Sequence, residues 1–167
     1  MEPAQPQSQD PHLLFQLGTF RFALPLAAVQ GVERPGRFTA VPFAVPWLRG
    51  VTAVSGAVVS VVDLGRFAGG DPAGTTPGAR LVVAHWAGVT AGLLVDQVTG
   101  IAEMPAEVSP PPPVRGPLAE YWRGAHTVEG QVAVVLDPQR LLHAAAFHAY
   151  QVEAPAAAPA ADHSEPE

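Results

Sequence analysis

The chain has 167 residues, 48% of them apolar, enough for one ordinary domain or two very small ones sharing an interior. It has no cysteine, which excludes a disulfide framework, a thiolate metal site and a cysteine nucleophile. Of the net charge of −6, six acids sit near the ends (Glu2, Asp10, Glu153, Asp162, Glu165, Glu167); the remainder is nine acids against nine arginines without a lysine, and lacks the clustered cations that grip nucleic acid.

In chain order, residues 1–11 read as a disordered tail rich in Pro and Gln, with no basic, apolar leader. Leu13-Leu14-Phe15-Gln16-Leu17, then Gly18-Thr19, then Phe20-Arg21-Phe22-Ala23-Leu24 predicts a hairpin with a tight turn and one apolar face. Val29-Gln30-Gly31-Val32 follows as a kinked strand. The connection over 33–48, with Pro35, Pro42 and Pro46, predicts a stiff loop. Further strands are expected over 51–54, 58–62, 81–86, 91–95, 98–104 and 132–136. Residues 139–150 predict the chain's one convincing helix, with Leu141, Leu142, Ala145 and Phe147 toward the interior; 153–167 reads as a second disordered tail. No stretch approaches the roughly 18 uninterrupted apolar residues of a membrane span. A cytoplasmic protein with no direct membrane insertion is expected.

An internal repeat organises these elements. Residues 49–66 can be laid on 123–140, 74 positions later, with eight of 18 positions identical: the Arg-Gly pair, three Val, one Gly, the Asp and the last Arg. The front of the unit repeats at an offset of 69, Val29-Gln30-Gly31-Val32 on Val98-Thr99-Gly100-Ile101, each after a hairpin (13–24 and 82–93). Two copies of a hairpin, a kinked strand, a Pro-containing loop and a second hairpin predict an all-β domain over 12–152. It is built from two packed five-stranded halves, approximately 25–80 and 12–24 plus 81–152, with a short C-terminal helix. A five-stranded unit of this size buries too little to stand alone.

Candidate chemistry is sparse. Asp63 and Asp137 occupy equivalent repeat positions three residues before an Arg, which predicts helix N-caps, strengthened by Pro138 at the first helical position. Asp96 interrupts an apolar run and reads as a backbone-bonded residue at a strand end. His143 and His148, five apart on a helix, fall on different faces and make no metal motif. No nucleophile elbow, phosphate-binding loop or dinucleotide fingerprint occurs. The chain is therefore read as no enzyme, with no cofactor and no metal.

The hairpin over 14–24 with Pro25, Val29-Gln30-Gly31-Val32, Val41-Pro42, the block Gly50-Val51-Thr52…Gly56…Val61-Val62-Asp63-Leu64, Leu93-Leu94-Val95-Asp96-Gln97-Val98 and Leu136-Asp137…Leu141-Leu142 together resemble the CheW family of chemotaxis coupling proteins. The resemblance covers nearly all of 13–143 in order. It implies two SH3-like five-stranded barrels and a non-enzymatic adaptor. Such an adaptor joins the regulatory domain of a CheA-type histidine kinase to a chemoreceptor's cytoplasmic tip helix, in a chemotaxis, pilus or gliding array. It further implies a groove at Val29, Val32, Gly50, Val51, Val54 and Ser55, with Val95 and Val98 on its far side. A kinase contact is implied at Gly56, Ala57 and Val58 and near the loop from Pro105 to Val114. The chain departs from the family at Ser55, where an arginine is usual, at Ser60, where proline is common, and at Gly31, where an acid is usual. A sequestering inhibitor of the same fold, and more distantly a nucleic-acid-binding SH3-like barrel, are the alternatives.

Overall fold

The computed structural model describes residues 8–105 and 118–149. Ten strands form two five-stranded sheets. Strand β1 (Gln9–Leu17) and β2 (Phe20–Pro25) make the first hairpin, a 3-10 turn over Leu26–Ala28 follows, and β3 (Val29–Glu33) ends that segment. Strands β4 (Leu48–Val54) and β5 (Ala57–Asp63) form a second hairpin, closed by the four-residue helix α1 (Leu64–Phe67). Then come β6 (Arg80–Trp86), β7 (Val89–Val95), β8 (Gln97–Pro105), β9 (Trp122–Val128), β10 (Gln131–Leu136) and helix α2 (Pro138–Ala149).

One sheet has the order β8-β1-β2-β10-β9 and the other β3-β6-β7-β5-β4. The two orders are the same list shifted by the repeat, so the duplication holds at the level of hydrogen bonds. In β4–β5 the partners are Leu48 with Val62 and Gly50 with Val61; in β9–β10 they are Trp122 with Leu136 and Gly124 with Val135. The residue passed over is Arg49 in one hairpin and Arg123 in the other, so the repeated Arg-Gly pair marks a β-bulge. At the front of the unit, Val29 pairs with Ala84 and Gly31 with Val83, matching Val98 with Phe15 and Gly100 with Leu14. These bulges are the kinks expected of Val29–Val32 and its copy.

The same registers correct the expected division of the halves. Residues 81–95 do not join 12–24; β6 and β7 lie between β3 and β5, in the sheet of 29–63. One half is therefore the continuous segment from Val29 to Val95, inserted between the strands of the other. The reason is that β3 and β5 share no hydrogen bonds and need the Leu81- and Leu93-bearing hairpin between them, with β5 parallel to β7. Each hairpin thus serves the sheet built by the rest of the other copy. A second correction concerns the N-terminus: Gln9, Asp10 and Pro11 are strand, paired with Pro105, Met104 and Glu103. Their composition resembles a tail, yet β8 supplies the partner that local composition cannot reveal. Residues 1–7, 150–152 and 153–167 lie outside the described residues.

A large apolar cluster unites the two sheets and α2, drawing on Phe15, Phe22 and Leu24 from one side, Val62, Leu81 and Leu93 from the other, and Leu141, Leu142 and Ala145 from the helix. The helix arises in the wake of β10 but packs on β6 and β7, so it ties the two halves together. A smaller cluster of Leu14, Ala23, Met104, Ala133 and Val135 fills the interior of the first sheet. Period-2 alternation explains both: Ala133 and Val135 face the smaller cluster, while Val134 between them packs against the large one.

Candidate functional site

The sites suggested by sequence fall on three places in this frame. Gly50, Val51 and Val54 line β4, Ser55 and Gly56 make the turn to β5, and Ala57 and Val58 begin β5. Val29 and Val32 lie on β3, at the opposite edge of the same sheet. Val95 and Val98 flank the crossover from β7 to β8, where the chain passes between sheets.

The turn is built by its backbone. Ser55 has φ 49° and Gly56 φ 80°, both positive, as a two-residue type I′ hairpin requires; Glu129 at 49° and Gly130 at 76° repeat it in the other half. Beyond the turn Val58 is 77% exposed, and its repeat counterpart Val132 is 61% exposed. Edge strands β3 and β4 are linked through the loop between them: Thr39 N–H donates to the Val51 carbonyl at 2.8 Å, and Val51 N–H to the Thr39 carbonyl at 2.9 Å. This bridge covers Gly50, where a Cβ would strike the Thr39 carbonyl.

Burial sorts the proposed groove positions. Val95 is sealed in the core, and Gly50 lies beneath Thr39, so neither offers side-chain surface to a partner. Val29, Val54 and Val98 are half-buried, and all three pack against the large apolar cluster although they come from β3, β4 and β8. Val51 is half-buried, Val32 is 40% exposed and Ser55 is exposed. Gly56, Ala57 and Val58, where the resemblance implied a kinase contact, are all exposed. Of the loop from Pro105 to Val114, only Pro105 is among the described residues.

The carboxylates have structural work. Asp63, fully buried, accepts from the backbone N–H of Arg66 at 3.0 Å and of Ala73 at 2.9 Å, with the Arg49 guanidinium 3.4 Å and the Arg66 guanidinium 3.8 Å away. Asp137 caps α2 by accepting from Arg140 N–H at 3.1 Å. Asp96 accepts from Gly18 N–H at 2.7 Å and donates its own N–H to the Gln16 carbonyl at 3.1 Å, clamping the crossover to the first hairpin. These groups hold backbone in place and none faces a second carboxylate. A cavity of about 240 Å³ between β5, β7 and α2 is lined by Val62, Val89, Ala91, Ala145 and Ala146, with Ser60 and Thr90 as its hydroxyls. It presents no titratable pair.

The sequence reading missed several exposed apolar residues: Phe20, Phe43, Ile101 and Val132. Ile101 and Val132 were within reach, since the repeat offsets carry Val32 and Val58 onto them. Phe43 gave no such signal, because it lies in a loop outside the repeat.

Residues 11–146 match the model of the CheW-like domain. The chain belongs to the CheW-like family. Protein FrzA of Myxococcus xanthus is 32% identical over 128 residues, 76% of this chain and 80% of that protein. Protein PilI of Pseudomonas aeruginosa is 30% identical over 129 residues, 76% and 72% of the respective chains. A probable chemotaxis protein CheW of Rhizobium etli is 26% identical over 131 residues, 77% and 84%. The crystal structure of scaffolding protein TtCheW from Thermoanaerobacter tengcongensis superposes with a TM-score of 0.71 at 22% identity, over 77% of this chain and 89% of that one. The fold is accordingly the CheW-like pair of SH3-like subdomains.

Proposed function

We propose that this CheW-like chain is a non-enzymatic adaptor of a chemosensory array. A chemoreceptor's cytoplasmic tip helix docks at Val29, Val32, Val51, Val54, Ser55 and Val98, while Gly50 and Val95 shape the floor from beneath. The regulatory domain of a CheA-type histidine kinase meets Gly56, Ala57 and Val58. One observation supports the receptor side most: Val29, Val54 and Val98 arrive from three strands of two sheets and rest on one apolar cluster. A helix with an apolar face suits such a seam. The reading covers chemotaxis, pilus and gliding arrays alike and places the protein in the cytoplasm; no helix among the described residues is long and apolar enough to cross a membrane.

The neutral, lysine-free body speaks against a nucleic-acid-binding barrel. A sequestering inhibitor would use the same surfaces and differ only in lowering kinase output. The direct test mixes the full chain with a soluble receptor-tip fragment and the kinase regulatory domain on a sizing column. A ternary complex is expected, and mutual displacement of the two partners would refute separate docking surfaces.

A further inference from the structure

Residues 34–62 contain no aspartate or glutamate, in a chain whose net charge is −6. Arg34 and Arg37, in the connection from β3 to β4, are exposed and form no ion pair among the described residues, whereas Arg49 is engaged with Asp63. On the same connection Phe43 is 88% exposed and has φ 58°. Ala44 N–H donates to the Val41 carbonyl at 3.4 Å across a turn with Pro42 in its second position. Phe43 therefore occupies the third position of a type II turn, a place that favours glycine or asparagine. A bulky residue there strains the backbone, and an exposed ring recovers nothing from the interior.

The turn is firmly held. Besides the Thr39–Val51 pair, Leu48 N–H donates to the Val45 carbonyl at 3.0 Å, the Arg66 guanidinium to the Pro46 carbonyl at 3.3 Å and Asp63 N–H to the Trp47 carbonyl at 2.8 Å. Trp47 packs edge-on against Phe67 with ring centroids 5.0 Å apart. An aromatic ring on a braced turn, with free guanidinium groups on the same connection, complements an apolar socket rimmed by carboxylates.

We propose that Phe43, together with Arg34 and Arg37, extends the receptor groove and selects among receptor helices. The chosen helix carries an apolar residue for the Phe43 ring and acidic residues for the two arginines. This rests on the adaptor reading, because the Thr39–Val51 pairing joins the connection to the β4 groove positions. A ring already held in place loses little freedom on docking, which favours affinity at this point.

The test titrates the full-length chain against a soluble receptor-tip coiled-coil fragment, and separately against vesicles of phosphatidylglycerol and phosphatidylcholine. Phe43→Asn places a residue that tolerates positive φ in the turn, so its melting temperature is expected to match or exceed the parent's. Its binding to the fragment is expected to weaken at least about 10-fold. Arg34→Gln with Arg37→Gln is expected to flatten the salt dependence of binding. Equal affinity of Phe43→Asn and the parent would overturn the proposal and leave the groove reading standing. Undiminished binding by Val32→Glu, or none by the parent, would overturn the groove reading itself. Phe43-dependent binding to vesicles and not to the fragment would also overturn it, in favour of a lipid surface.

Discussion

Asp63 and Asp137 carry the same cap, but their burial sets them apart. Asp63 receives two backbone N–H groups and stands by two guanidinium groups with no exposure, while Asp137 is partly open to water. Asp137→Ala is expected to cost about 1 kcal/mol, the usual worth of an N-cap. Asp63→Ala additionally strands the buried Ala73 N–H and frees Arg49, so about 3 kcal/mol is expected. Urea denaturation of both variants checks the difference, and equal costs would contradict the burial argument. Tyr121 offers a pH-dependent companion. Burial, and secondarily the Glu120 carboxylate, push its hydroxyl above the ordinary 10.0. The folded state thus disfavours the phenolate. Its contribution is complete below pH 10.0 and is lost as pH rises through the elevated folded value. Thermal melts at alkaline pH should fall less steeply for Tyr121→Phe than for the parent.

At the scale of elements, the paired turns give a clean comparison. Gly56 and Gly130 have φ 80° and 76°, and a Cβ at either would meet no atom within 4 Å. Replacement by alanine is therefore a backbone effect alone, expected to cost about 1–2 kcal/mol at each site. Denaturant midpoints for Gly56→Ala and Gly130→Ala should shift alike, and a large difference would deny that the turns are equivalent. These hairpins were legible in the sequence because the 74-residue offset preserves the bulge arginine, the turn glycine and the capping aspartate together. The position of β6–β7 was not. Alternation within 81–95 shows a two-stranded ribbon, but records nothing of which distant strand lies alongside, and the deciding contact with β5 is parallel and 31 residues apart at Ser60–Ala91. Around the candidate positions, the β4–β5 hairpin and its turn were readable from the repeated block, while the groove itself came from the family resemblance. The burial of Val95 and the exposure of Phe43 depend on tertiary packing and on one braced loop.

At the scale of the whole molecule, the halves cannot be separated. The segment from Val29 to Val95 is continuous, yet its apolar face is completed by the first sheet and by α2. Leu141 is fully buried in that common cluster. Leu141→Ala is expected to cost about 2–5 kcal/mol and to lower the unfolding midpoint seen by Trp86 in one sheet and Trp122 in the other by the same amount. Variants keeping only Trp86 or only Trp122 of the chain's three tryptophans would report this, and two separate transitions would contradict a shared core. Cooperativity matters for an adaptor, since partners at different surfaces must be held at a fixed separation.

Adaptor function itself is tested by kinase output. Purified chain is added to a CheA-type kinase with and without receptor-bearing membranes, and autophosphorylation is followed with labelled ATP. Phosphorylation should rise only when receptor, kinase and this chain are all present, and Val32→Glu should abolish the rise. Output that stays flat, or falls as the chain is added, would contradict coupling.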